Sequence, residues 1–197
     1  HNEPDRGYTT VHVCTWDRAG LFSKITGSLT SAGLNILSAE IITRGDGIIL
    51  DTFFVTDAKT GLLARREERE AFETVLNKIL NGEEIDLTAL IAQQKTVGLG
   101  NIFEGERITT VIDFDNQTSE TRTIIQVETE DRLGLLYAIS RVLNDLELDI
   151  YVAKISTEKG AAIDSFYVAE SDGSKITSPE RQKQIEKKLR SAIHRLG

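Results

Sequence analysis

Thr15-Trp16-Asp17-Arg18-Ala19-Gly20-Leu21 returns downstream as Thr129-Glu130-Asp131-Arg132-Leu133-Gly134-Leu135. The match extends both ways at a constant offset. Val13 falls on Val127, Ile25 on Ile139, Leu29 on Leu143, Leu34 on Leu148 and Ile36 on Ile150. Ala39, Ile41 and Thr43 fall on Ala153, Ile155 and Thr157. After one extra residue in the first copy, Asp51, Phe53 and Val55 fall on Asp164, Phe166 and Val168. Matched positions are mostly apolar and regularly spaced, so the chain is a tandem duplication, and a repeat of this kind fixes the architecture.

Each copy reads as strand, helix, two strands and helix. Val11 and Val13 alternate with His12 and Cys14, as Ile125 and Val127 do with Gln126 and Glu128, the pattern of a half-buried strand. Leu21, Phe22, Ile25 and Leu29 share one helical face, and Leu135, Leu136, Ile139 and Leu143 repeat it. Gly33 suits a helix stop; Glu147, at the same place in the second copy, is a weaker one. Arg44-Gly45-Asp46-Gly47 and Glu158-Lys159-Gly160 read as hairpin turns. Second helices follow on Phe72, Val75, Leu76, Ile79 and Leu80 and on Ile185, Leu189, Ile193 and Leu196, the latter started by Ser178-Pro179-Glu180.

A fourth strand is needed in each sheet. Glu83-Ile85-Leu87 is the candidate in copy one. Copy two stops at Gly197, so residues 107–114, rich in β-branched side chains, are the candidate to fill its vacant edge. Residues 93–105, with Gly98, Gly100 and Gly105, read as a linker. The expected fold is α+β: two ferredoxin-like βαββαβ domains, with antiparallel sheets and helices on one face, joined side by side. The boundaries are 9–90, a linker at 91–119 that includes the extra strand, and 120–197. Exposed second-strand edges would be hidden by pairing with each other, predicting one continuous sheet.

Composition narrows the function classes. Of the 197 residues, 40% are apolar and 27% charged, an ordinary globular profile. A net charge of −8 disfavours nucleic acid and an anionic membrane surface; Arg181, Lys183, Lys187, Lys188 and Arg190 form the wet face of a helix. No apolar run approaches the ~20 residues of a membrane helix. A single cysteine, Cys14, excludes an intrachain disulfide and makes the cytoplasm the expected location. The absence of methionine points to a fragment or a processed product.

The repeated loop carries the chemistry. Gly20 and Gly134 let the backbone turn sharply and let a ligand approach. The helix that follows offers unpaired N–H groups and the positive end of its dipole, together suited to a carboxylate. The alternative is that Asp17 and Asp131 cap their helices and the glycines serve only the turns. Asn35 and Asp149, opening the second strands before Ile36 and Ile150, offer side-chain oxygens to an amino group or are plain turn residues.

The order of elements, the Asp-Arg-x-Gly-Leu loop and the Asx-Ile strand opening resemble ACT domains. Gly7-Tyr8, the run Val13 to Phe22, and Gly47 to Val55 with Leu50-Asp51-Thr52-Phe53 are similar to the first ACT domain of bacterial PII uridylyltransferases. Asp113-Phe114-Asp115-Asn116 and the run Gln126 to Tyr137 are similar to the second. Ala19 and Leu133 depart from the proline frequent there, leaving the loop more flexible. The resemblance implies a glutamine-sensing allosteric module that switches the parent enzyme between uridylylating the PII signalling protein and removing the group, in nitrogen regulation. It implies small amino acids where the loop of one domain faces the second strand of the other. The expected effector residues are therefore Asp17, Arg18, Ala19, Gly20 and Leu21 opposite Asp149 and Ile150, and Asp131, Arg132, Leu133, Gly134 and Leu135 opposite Asn35 and Ile36. Charge favours the Asp149 site. The expected partners are that amino acid, the parent's catalytic domains and, indirectly, the PII protein.

No catalytic centre is expected in the chain. Asp113 and Asp115 have the spacing of a Mg²⁺ clamp, yet Gly27-Ser28 lies far from them inside a helix. His1, His12 and His194 are not followed by aspartate, and Cys14 has no evident histidine partner. No cofactor is expected here, with Mg²⁺ confined to catalytic domains of the parent, a nucleotidyltransferase with a His-Asp phosphohydrolase domain. Two alternatives stay open: a stand-alone two-ACT regulator of a metabolic enzyme or transcription factor that binds another amino acid, and a structural module.

Overall fold

A computed structural model describes residues 1–41, 46–97, 108–158 and 160–196. Arg44, Gly45 and Lys159 of the expected turns, residues 98–105 of the expected linker and Arg107 of the expected strand lie outside them.

The first copy runs β1 (Asn2–Glu3), β2 (Tyr8–Trp16), α1 (Leu21–Ser31), β3 (Leu34–Glu40), β4 (Ile48–Asp57) and α2 (Arg66–Leu80). After α3 (Leu87–Val97), the second runs β5 (Val111–Asp115), β6 (Thr123–Glu130), α4 (Leu135–Asp145), β7 (Leu148–Lys154), β8 (Thr157–Glu158), β9 (Ala161–Glu170) and α5 (Pro179–His194). The sheet orders are β1-β2-β4-β3 and β5-β6-β9-β7, antiparallel throughout, with β8 pairing β9. These are two ferredoxin-like sheets. Phe53, Val55, Phe166 and Val168 point inward from the central β4 and β9 and are fully buried. Ile25, Leu29, Ile139 and Leu143 meet them from α1 and α4, also without exposure. Full burial of such side chains contributes roughly 1.5–3 kcal/mol each.

The edge strand comes from the segment before each copy. Val111–Asp115 pairs with β6, as the β-branched run predicts, and Asn2–Glu3 occupies the same edge beside β2. Glu83-Ile85-Leu87 is therefore not the fourth strand. Residues 83–86 carry no regular element, and Leu87 opens α3. The helix also claims Gln93 to Val97 from the expected linker. Leu87 and Ile91, four apart, are buried, and Gln94 Nε2 donates to the Ser31 carbonyl at 3.0 Å, so α3 is strapped along α1.

The two copies are related by a pseudo-twofold. Thr26 and Ser140 hold equivalent places in the repeat, and their hydroxyls meet at 3.1 Å, fully buried between α1 and α4. Contact between equivalent residues is the signature of an isologous interface. Gly27 makes the approach possible, since a Cβ there would stand 2.8 Å from the Tyr137 ring and 2.7 Å from Leu87. The edges β3 and β7 come within 8 Å of each other between Cα atoms. They form no ladder, and the expected continuous sheet is instead two sheets side by side. Bulges at Ile36/Ser38 and Ile150/Val152 break the register of both edge strands, which disfavours straight pairing between them.

Candidate functional site

Each repeated loop is fixed in the same way. The Asp17 N–H donates to the Gly47 carbonyl at 2.7 Å, and Asp131 to Gly160 at 2.9 Å. Leu21 N–H then closes on Arg18, and Leu135 on Arg132. Gly20 and Gly134 sit at φ +69° and +87° immediately before their helices. L-residues other than glycine avoid this region. The residue at each cap position is this glycine, which has no side chain with which to close the first turn. The first turns thus keep N–H groups oriented toward whatever lies across the loop.

What lies across is the other copy. Asp17, Arg18, Ala19, Gly20 and Leu21 line one cleft with Asp149 and Ile150. Asp131, Arg132, Leu133, Gly134 and Leu135 line another with Asn35 and Ile36. The structure therefore gathers the expected residues into two composite clefts, each completed by the partner copy's strand. Residues not expected at the ligand from the sequence join them: Ser140, Asn144, Glu147 and Tyr151 in the first, Thr30, Ile155 and Asp164 in the second. The arginines line the clefts with their guanidinium groups already engaged. Arg18 donates to the Leu80 carbonyl at 3.0 Å, and Arg132 pairs with Glu130 at 2.7 Å.

The clefts differ in size. The Asp149 cleft holds about 660 Å³, within the range of small-ligand sites. The Asn35 cleft narrows to a cavity of about 20 Å³, room for one water-sized group. Asp17, Arg18 and Ala19 are exposed, whereas Asp131, Arg132 and Leu133 are half-buried. Gly20 faces the Asn144 carboxamide, and Gly134 faces Thr30 and Ile91 from α1 and α3.

Asp164 stands out in the narrow cleft. It points inward from β9, is 2% exposed, and its Oδ1 has no hydrogen-bond partner. Burial pushes its carboxyl up to about 8; the nearby Asp131 adds to this, and the Ser156 backbone N–H opposes it. Its counterpart Asp51 is as buried but is not without a partner. The sequence held a signal for both: a carboxylate on the inward parity of a strand, in line with Phe53 and Val55 or Phe166 and Val168. The other candidates are dispersed. Asp113 is exposed on β5, Asp115 accepts from Gln117 and Thr118 in a turn, and His12 meets Thr52 on the open sheet face.

A duplicated ferredoxin-like module with clefts shared between its copies defines the class of protein. Residues 9–73 match the ACT domain and residues 111–196 the ACR9-like, ACT-like domain. The chain is a tandem pair of ACT domains. It is 36% identical over 194 residues to the bifunctional uridylyltransferase/uridylyl-removing enzyme of Rhodospirillum rubrum, covering 97% of this chain and 20% of that protein. The corresponding enzymes of Ruegeria pomeroyi and Azospirillum brasilense are each 35% identical, over 97% and 95% of the chain and 21% and 20% of their own length. The chain thus spans about a fifth of these relatives. Among solved structures, an unknown protein from Galdieria sulphuraria aligns over 96% of this chain and 91% of its own at 16% identity and a TM-score of 0.29, too low to bear on the fold. No helix among the described residues is long and apolar enough to cross a membrane.

Proposed function

We propose that this ACT pair is the amino-acid-binding allosteric module of a PII uridylyltransferase, sensing glutamine in nitrogen regulation in the cytoplasm. One observation carries the reading: each helix N-terminus, with a glycine at its cap position, faces an Asx-bearing strand of the other copy. An amino acid carries a carboxylate for the N–H groups and an ammonium for the Asx oxygen. A ligand held this way touches both copies at once, so binding is coupled to how they sit together. That is the property a regulator needs, since a ligand shifts an equilibrium only through differential contacts with its states. The relatives are uridylyltransferase/uridylyl-removing enzymes of which this chain spans about a fifth, which supports a parent whose catalytic domains lie outside this chain; in this reading those domains use Mg²⁺ and act on the PII protein. The chain itself would regulate and not catalyse.

The test is calorimetry of the chain against the twenty amino acids. Glutamine should bind, and Gly20→Val should remove binding in the larger cleft. Tight binding of a different amino acid favours a stand-alone two-ACT regulator. Binding unaltered by Gly20→Val and by Gly134→Val places the effector elsewhere and overturns the site.

A further inference from the structure

Asp164 is a costly residue to place where it is. A carboxyl 2% exposed in a packed sheet, with only the Ser156 backbone N–H given in return and no hydrogen-bond partner for its Oδ1, loses more hydration than the fold replaces. The surrounding strand face is apolar, with Ala162 and Phe166 on either side and Val127 opposite. A valine would suit that position better. The carboxyl lines the cavity of about 20 Å³ between Asn35 of β3 and the loop Asp131–Leu135. That volume admits one water-sized group and not a whole amino acid.

We propose that Asp164 is the buried receptor for an ammonium group, and that occupying this cavity exchanges the carboxyl's own proton for the charge of the incoming nitrogen. The inference rests on the proposed amino-acid site and adds a residue and a proton to it. A water-sized cation with several N–H donors matches the lining: the free Asp164 oxygen, the Asp131 carboxylate and the Asn35 carboxamide oxygen. In the absence of a cation the two carboxylates repel, and burial keeps Asp164 as the neutral acid at pH 7. When R–NH3⁺ arrives, the O–H bond of Asp164 breaks, its proton leaves to solvent, and the carboxylate accepts from the ammonium. Charge within the cavity is unchanged apart from the nitrogen's position, so no buried charge is left unpaired. The charged and titratable groups facing Asp164 are Asp131 and Arg132 from the β6–α4 loop, with Glu130 at the end of β6 holding Arg132 at 2.7 Å. Asn35 and Thr30 face it from β3 and α1 as neutral polar groups. The same chemistry is carried by the α-ammonium of an amino acid seated in the cleft mouth and by a free ammonium ion.

The experiment follows the ¹³C signal of the Asp164 carboxyl in the full chain, assigned with Asp164→Asn, together with calorimetry in two buffers of different ionisation enthalpy. The free protein should show Asp164 protonated at pH 7. Glutamine should move its signal to the carboxylate position and release up to about one proton per cleft filled, while N-acetylglutamine should do neither. Asp164→Asn should weaken this binding at least about tenfold and abolish the proton release. Movement of the signal by ammonium chloride and not by glutamine supports the receptor and assigns it to the free ion, even if no amino acid binds and the proposed function fails. Amino-acid binding with the Asp164 signal unmoved overturns the inference and leaves the proposed function standing. An ionised Asp164 in the free protein, or a signal that no ammonium compound moves, also overturns it.

Discussion

The two clefts are built from one repeated loop, yet one is wide and one is narrow. The Asp149 cleft pairs an exposed loop with an exposed carboxylate. The Asn35 cleft pairs a half-buried loop with a half-buried carboxamide and adds the buried Asp164. Much of the difference comes from what duplication left unequal. The α3 helix lies against α1 and sets Ile91 beside Gly134 together with Thr30, while Gly20 has the exposed Asn144 of α4 beside it. A tandem repeat thus yields two sites of different character, one suited to a whole ligand and one to a head group.

The largest break in this comparison should come at the axis that both clefts share. Gly27→Leu would drive a side chain into Tyr137 and Leu87, already 2.8 and 2.7 Å from where a Cβ would sit. Overpacking costs about 1–3 kcal/mol, and here a leucine would meet two side chains at once, Leu87 and the Tyr137 ring, so about 3 kcal/mol is expected. Urea unfolding should show that loss, and calorimetry should show both clefts gone together. If one cleft survives at full affinity, the clefts do not depend on the axis.

Asp164 sharpens the comparison through pH. Its folded-state pKa, about 8, lies above that of an unfolded aspartate. The native state therefore holds one more proton than the unfolded state between the two values. The contribution of Asp164 to stability should be greatest below pH ~4, fall as pH rises, and level off once pH passes 8. The slope approaches roughly 1.4 kcal/mol per pH unit, or about 2–3 kcal/mol between pH 5 and pH 7. Asp164→Asn should remove that slope and stabilise the chain at pH 7 while weakening the narrow cleft. Equal pH profiles for the variant and the parent would refute the raised pKa.

The loop glycines come next. A valine at position 20 or 134 costs roughly 1–2 kcal/mol for its left-handed backbone alone. Gly20→Val should also collide with Asn144 and cost the open cleft at least about tenfold in affinity, about 1.4 kcal/mol. Asp149→Ala should do less than its charge suggests. A buried charged hydrogen bond contributes about 1.5–3 kcal/mol, but Asp149 is exposed, so screening brings it to about 1 kcal/mol or below. Its effect should shrink in 0.5 M salt, whereas that of Asn35→Ala should not. Salt-independent loss at Asp149 would mean that the cleft closes over the ligand.

Much of the fold and of the two loops is legible in the sequence. The recurrence of Asp-Arg-x-Gly-Leu located both loops, and the Asx residues opening the second strands located what faces them. What periodicity could not tell is where a strand pairs. The alternation of Glu83-Ile85-Leu87 looks like an edge strand, but Leu87 and Ile91 also suit a helix, and contact with α1 decides for the helix. Asp164 escaped because a lone carboxylate in a strand reads as a surface residue until its parity is compared with Phe166 and Val168.

The smallest expected effect lies at the stop of α4, where the copies differ by one residue. Gly33 and Glu147 hold equivalent places, at φ +82° and +58°. Glycine takes that conformation freely, while glutamate bears roughly 1–2 kcal/mol of left-handed strain, partly offset by the roughly 0.5–1 kcal/mol of extra chain entropy that a glycine loses on folding. Glu147→Gly should therefore stabilise the chain by about 0.5–1 kcal/mol. Removing its exposed carboxylate also takes one negative charge from the rim of the Asp149 cleft. That change should slightly favour the carboxylate of an amino acid, by about 0.5 kcal/mol at low salt. Thermal unfolding tests the first effect and calorimetry the second. A destabilised Glu147→Gly would mean that Glu147 makes a compensating contact, for which Arg181 of α5, already paired with Glu170 and acted on by Glu147, is the group to examine.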